Sequence, residues 1–226
     1  MANDYEKELA ARASLKYVHD GQIVGLGTGS TATIAIRYLG ERVRDGLKVR
    51  GIPTSVQSRD LAIQLGIPLT TFEEYQEIDV TIDGADEFDP DLNLIKGGGG
   101  AMLREKVVAS ATKQLVIVTD SSKQVPVLGG FPLPVEVITF AEPLVAKKIS
   151  DRGAIVARRC DPSGKPYTTD EGHHILDCHF GKISDPVALA RRLSDMPGVV
   201  EHGLFVGMAS VVLMAKAGEV AEFHRS

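Results

Sequence analysis

The sequence predicts an α/β fold: a mostly parallel sheet built from βαβ units, with a small α+β domain of ferredoxin-like type inserted into it. Three observations carry this expectation. Up to Lys123, short apolar runs alternate with helical segments, the pattern of parallel strands joined by crossover helices. After Lys123 the character changes: VLGGFPLPVEVITF, rich in Pro and Gly, reads as a crossover, and two β-α-β-like passes follow it. The tail, SVVLMAKAGEVAEF, reads as a return to the first sheet, which makes the smaller unit an insertion. The expected boundaries are 1–128 plus 207–226 for the large domain and 129–206 for the small one.

Each element has its own signal. MANDYEKELAARASLKYVHDG is an amphipathic helix with acidic residues early. QIVGLG (22–27) is a short apolar strand ending in glycine, and STATIAIRYLGERVRDG continues as a helix. KVRGIPTS reads as a strand, SRDLAIQLG as a helix capped by Ser58, and IPLTTF as another strand. EIDVTIDGAD is a strand that ends in an acidic turn; residues 101–112 are helical, and QLVIVTD (114–120) is a buried strand. Beyond the crossover come a helix (AEPLVAKKISDRG), a strand (AIVARRC), a polar turn (DPSGKPYTTDEG) and a strand (HHILDCHF). A helix (DPVALARRLSDMP) and a strand (VVEHGLF) complete the small unit.

At 226 residues, 43% hydrophobic and 24% charged, the chain has the composition of a globular protein able to bury a full core. A formal charge of −5, with no Lys/Arg block, argues against nucleic acid as a partner. No apolar run approaches a membrane span, and the N-terminal helix does not read as a signal peptide, so a cytoplasmic protein is expected. The two cysteines, Cys160 and Cys178, form no CxxC and no disulfide framework.

The chemistry concentrates in DGADEFDPDLNLIKGGGGAMLRE, from Asp83 to Glu105. The acidic step Asp83, Asp86, Glu87 sits where a parallel strand ends, the edge at which open α/β sheets bind ligands. Taken singly, these acids also suit plain Asx-turns. Lys96 then precedes four glycines, which set one cation beside a nest of backbone N–H groups suited to a developing oxyanion. Glu105 lies about one turn into the following helix; its plain alternative is a helix-face ion pair. Upstream, GLGTGST follows a strand and opens a helix, so Thr28, Gly29, Ser30 and Thr31 can hold a phosphate at the helix N-terminus. It is neither a dinucleotide fingerprint, since Ala32 stands where the third glycine would be sought, nor a P-loop, since no lysine follows. The alternative here is a capped turn. Lys123 is a second sheet-edge cation, and Lys7 a weaker one; either also fits an ordinary solvated lysine. HHILDCHF, with His173, His174, Cys178 and His179, matches no zinc spacing and reads as a half-buried strand.

GLGTGSTA, SVQS (55–58), DGADE, KGGGGA with its following RE, and GVVEHGLF together resemble ribose-5-phosphate isomerase of the A type, over essentially the whole chain. The resemblance implies a Rossmann-like large domain, a homodimer or homotetramer, and no cofactor or metal. It implies interconversion of D-ribose 5-phosphate and D-ribulose 5-phosphate, in the non-oxidative pentose phosphate pathway. It assigns substrate contacts to Thr28, Gly29, Ser30, Thr31, Asp83, Gly84, Ala85, Asp86, Lys96, Gly97, Gly98, Gly99 and Lys123. Glu105 is then the proton shuttle, with Asp83, Asp86 and Lys96 as the other catalytic groups. A non-enzymatic sugar-phosphate sensor and an acyl or CoA transferase on a related fold are the rival readings. The first predicts binding without turnover, the second a thioester requirement.

Overall fold

Strands and helices alternate through Asp120 in a computed structural model that describes residues 2–225. Helix α1 (Ala2–Ser14) leads to β1 (Ile23–Leu26), α2 (Ser30–Arg44), β2 (Arg50–Pro53), α3 (Val56–Gln64) and β3 (Ile78–Asp83). Two short strands, β4 (Glu87–Phe88) and β5 (Leu94–Ile95), precede α4 (Met102–Ser110) and β6 (Thr112–Asp120). Then come β7 (Leu133–Val137), α5 (Glu142–Ser150), β8 (Ile155–Arg158), β9 (His174–His179) and α6 (Pro186–Ser194). The chain closes with β10 (Val199–His202), β11 (Leu204–Phe205), β12 (Val211–Lys216) and β13 (Glu219–His224).

By contact the chain divides into two compact units. The first runs through Ala85, takes in Arg104–Lys123 and resumes at Met208. The second is Asp86–Leu103 with Gln124–Gly207, and so takes in the KGGGG segment as well as the span 129–206.

The first unit holds a six-stranded sheet in the order β13-β12-β6-β3-β1-β2. Neighbours are parallel except the β12–β13 pair. Side chains alternate across a strand. Val24, Leu26, Val80, Ile82, Val116, Val118 and Leu213 therefore share one face and pack against Ala10 and Ala11 of α1 and Ile36 and Leu39 of α2. Ile23, Ile52 and Ile78 cluster instead with Val108 of α4. The tail does return to this sheet: Val211 pairs with Val116 and Ala215 with Asp120.

The second unit holds a four-stranded antiparallel sheet, β10-β7-β9-β8, and a three-stranded one, β11-β5-β4. The chain order β7-α5-β8-β9-α6-β10 is the ferredoxin-like pattern. Val145 and Ile149 of α5, Leu193 of α6, and Leu133, Val135, Val137, Leu176 and Cys178 of the sheet form its core.

Four sequence expectations need correction. Ser55, not Ser58, is the N-cap of α3; its side chain accepts the Ser58 N–H (3.0 Å) while the Ser58 hydroxyl accepts the Ser55 N–H (3.1 Å), a capping box. IPLTTF makes one isolated bridge, Gly51 with Leu69, and no strand, since Pro68 has no N–H to extend a ladder. VLGGFPLPVEVITF is more than a crossover, because its Leu133–Val137 is the fully buried β7, paired on both sides. VVEHGLF is two strands in two sheets, broken at Gly203.

Candidate active site

Because β1, β2, β3 and β6 run parallel, the loops after Leu26, Pro53, Asp83 and Asp120 emerge at one edge of the first sheet. The loop after β1 is fastened to β3. Gly27 N–H donates to Ile82 O (3.0 Å) and Thr28 N–H to Asp83 Oδ1 (3.0 Å). A Cβ on Gly27 would come within 2.4 Å of Asp83 Oδ1, so only glycine permits this approach. Gly29, at φ 105°, turns the chain into α2. The first N–H groups of α2 have no partner within the helix, the kind of terminus that can take an anion, with Ser30 exposed and Thr31 buried beside them.

Two residues not singled out for the site complete this edge. The Thr28 hydroxyl shares a hydrogen bond with Thr54 Oγ1 (2.7 Å) and donates to Ser55 Oγ (2.8 Å), and Thr54 Oγ1 donates to Leu26 O (3.0 Å). Their signal in the sequence was a pair of hydroxyls at a strand end, the second of which opens the SVQS motif. Asp83, 1% exposed, also accepts the Gly84 N–H on Oδ1 (2.8 Å), so one of its oxygens shapes the turn. Lys123 closes a single 3₁₀ turn (Ser121–Lys123) and is half-buried. That turn is held by Glu6 of α1, which accepts the Ser121 N–H (3.0 Å) and hydroxyl (2.8 Å). These two bonds hold the Glu6 carboxyl below the usual range. Lys7, the weaker candidate, is half-buried on the same helix.

Glu105 sits in the first turn of α4 and is only 4% exposed. The helix ends where Ile78 N–H donates to Ala111 O (2.8 Å), beside the start of β3. A nine-residue helix spans about 13 Å, so its first turn points away from that end, toward the edge where the strands finish.

The second unit carries the remaining residues. Lys96 follows β5, is 2% exposed, donates its N–H to Gly203 O (2.9 Å) and holds its ammonium 5.5 Å from the centre of the Phe205 ring. The chain then makes a tight turn, closed by Gly100 N–H on Gly97 O (3.0 Å), with positive φ at Gly97 and Gly100. Gly98 and Gly99 at its tip are exposed. Asp86, the residue expected to orient Lys96 or a substrate hydroxyl, accepts the Gly98 N–H on Oδ2 (2.7 Å). A Cβ on Gly98 would meet Asp86 Oδ1 at 2.6 Å. Glu87 fastens a different loop, accepting the N–H groups of Gly129 (2.8 Å) and Phe131 (2.5 Å).

The histidine-rich strand is engaged with glutamates. His173 Nδ1 lies 3.0 Å from Glu136 Oε1, and His174 Nδ1 lies 2.5 Å from Glu142 Oε2. Burial pushes the Cys178 thiol up to about 12. Among the described residues, no three His, Cys, Asp or Glu side chains gather to hold a metal ion, and no helix is long and apolar enough to cross a membrane.

Comparison with known proteins identifies the family. The family model of ribose 5-phosphate isomerase A (phosphoriboisomerase A) matches residues 50–219. A ribose-5-phosphate isomerase A from Nitrobacter hamburgensis is 51% identical over 232 residues and covers 100% of each chain. The solved ribose 5-phosphate isomerase of Plasmodium falciparum is similar at a TM-score of 0.95 and 38% identity, over 99% of each chain. A solved D-ribose-5-phosphate isomerase in complex with phospho-erythronic acid is similar at a TM-score of 0.97 and 36% identity, over 100% of each. With half of its residues identical to a full-length relative, the chain belongs to the ribose 5-phosphate isomerase A family.

Proposed function

We propose that this isomerase interconverts D-ribose 5-phosphate and D-ribulose 5-phosphate by proton transfer through an enediolate, with Glu105 as the shuttle. After ring opening, the Glu105 carboxylate takes the proton from C2 of the aldehyde. The C–H electrons become the C1–C2 double bond, and charge moves to O1. The same carboxyl group returns the proton to C1, while the C2 hydroxyl proton passes to O1, leaving a ketone at C2 and a hydroxyl at C1. Asp83 assists ring opening and the hydroxyl proton transfer. Lys96 and the Gly99 N–H stabilise the enediolate oxygens, with Asp86 holding the Gly98 N–H and so the turn. Each such donor is worth about 2.7–4 kcal/mol where this has been measured in other enzymes. The Thr28–Thr31 loop and Lys123 hold the phosphate, whose binding energy positions the reacting carbons.

One observation carries this reading most directly: a carboxylate almost wholly removed from water in the first turn of α4, immediately after the glycine turn. The ligand named for the similar solved structure, phospho-erythronic acid, supports it further. Its carboxylate offers two oxygens in a plane beside a phosphorylated chain, much as an enediolate does. The test is Glu105→Gln, which keeps shape and removes the base. Its kcat should fall by at least about 10²-fold with KM little changed. Near-normal turnover would remove Glu105 from the mechanism.

A further inference from the structure

We propose that Arg159, locked by Asp177, is a positioning residue that fixes the glycine turn so that its Gly99 N–H faces the substrate. Arg159 follows β8, where its N–H donates to Ile175 O (2.8 Å). Its guanidinium makes four hydrogen bonds in two directions. Nε and Nη2 donate to the two oxygens of Asp177 on β9, at 3.0 and 2.5 Å. Nη1 donates to Gly97 O (2.8 Å) and Gly98 O (3.1 Å). Both side chains are largely buried, at 14% and 21% exposure, so water screens the pair weakly. The two-pronged carboxylate contact fixes the guanidinium plane, and a planar fork fixed at one end presents its remaining donor in one direction.

The consequence follows from peptide geometry. In a trans peptide the C=O and the next N–H point in opposite directions. Holding Gly97 O therefore fixes the Gly98 N–H, which donates to Asp86 Oδ2 (2.7 Å). Holding Gly98 O likewise fixes the Gly99 N–H, on the side of that peptide away from Arg159. A cation on each carbonyl also polarises the peptide and strengthens the opposite N–H as a donor. Consecutive glycines have the widest backbone freedom of any sequence, so the turn needs an outside restraint to present its donors ready-made. Tyr167 adds a second brace: its N–H donates to Arg159 O (3.0 Å), and a Cβ on Gly100 would lie 2.4 Å from its hydroxyl oxygen. Arg159 stands 62 residues along the chain from the carbonyl it holds, which is why no motif reveals it.

This inference rests on the reading that the glycine turn stabilises the enediolate, and the experiment separates the two. Steady-state kinetics and melting temperature would be measured for Arg159→Met, Arg159→Lys, Asp177→Asn, the Arg159→Met/Asp177→Asn pair, and Lys96→Met. Arg159→Met should lose at least about tenfold in kcat, short of the ~10²–10³-fold for deleting an oxyanion donor outright, with KM for ribose 5-phosphate within about threefold. Arg159→Lys should recover part of the loss, and Asp177→Asn should fall between wild type and Arg159→Met. The double variant should be no slower than Arg159→Met, because the two residues act as one unit. A kcat at the wild-type level in both Arg159→Met and Asp177→Asn would overturn the assignment, as would a loss that appears wholly in KM. If Arg159→Met does not fold, Asp177→Asn alone decides by the same split. Wild-type turnover in Lys96→Met would sink the reading of the turn itself. An inactive Lys96→Met beside a fully active Arg159→Met would sink only the role of Arg159.

Discussion

Asp83 has an architectural duty beside the chemical one proposed for it. Its Oδ1 accepts the N–H groups of Thr28 and Gly84, which ties the loop after β1 to the turn after β3. Asn retains an acceptor oxygen at the same place but cannot take up a proton. Asp83→Asn should therefore melt within a few degrees of wild type yet lose about 10²-fold in kcat, the scale of an acid–base group. Asp83→Ala should lose stability as well, by about 1–3 kcal/mol, because two buried donors are left without their acceptor. Thermal melts beside initial rates on both variants separate the roles, and full activity in Asp83→Asn would confine Asp83 to the turn. At this scale the sequence proposes roles where residue type implies chemistry, as for Glu105, Lys96 and Asp83. It was silent for Thr54, Arg159 and Tyr167, which touch the site loops from distant positions and carry no pattern of their own.

Among the elements, β7 gathers the most consequence into the fewest residues. Pro134 and the glycines before it disguise a strand that lies in the middle of its sheet. The disguise works because pairing with β10 stops at Val135, after which Gly203 N–H caps Pro134 O (2.8 Å). Beside it in β7, Glu136 is buried, with Oε1 accepting from Thr169 Oγ1 (2.8 Å) and facing His173 Nδ1 (3.0 Å), and with Oε2 lacking a hydrogen-bond partner. Burial raises its pKa above the usual 4.5, against the lowering by Thr169 and His173. A carboxyl whose folded pKa is raised holds its proton more tightly folded than unfolded. Its contribution to stability is complete below the unfolded pKa and is lost as pH rises through the folded one. Glu136→Gln, which does not titrate, should thus gain on wild type as pH climbs above 4.5. Melting temperatures across pH 4 to 8 would show it, and a difference that stays flat or reverses would mean the His173 contact outweighs burial.

For the whole molecule, the acidic residues are spread over separate duties, and among the described residues no ligand set for a metal gathers. Asp83 and Asp86 each accept backbone N–H groups, in the loop after β1 and in the glycine turn. With Asp83 also proposed for proton transfer and Asp86 for holding the turn, prolonged dialysis against a strong chelator should leave turnover unchanged. Loss of activity, with recovery on adding one divalent ion, would instead make the acidic step a metal site.

Two kinds of information were local and so readable in the chain. The alternation of apolar runs with helical stretches set the parallel sheet, because period and punctuation act within a few residues of each other. DGADE with KGGGG suggested oxyanion and proton chemistry, because those side chains and that backbone freedom have little other use in that order. The tertiary structure decided what depends on partners remote in sequence. It left IPLTTF with one isolated bridge and turned a Pro-rich crossover into a central strand. It split VVEHGLF at Gly203, where a Cβ would come within 2.2 Å of Lys96 O. It also brought Arg159 to the glycine turn. Each outcome turns on a hydrogen bond or a steric contact between segments far apart in the chain, and their close approach is settled only when the whole core forms.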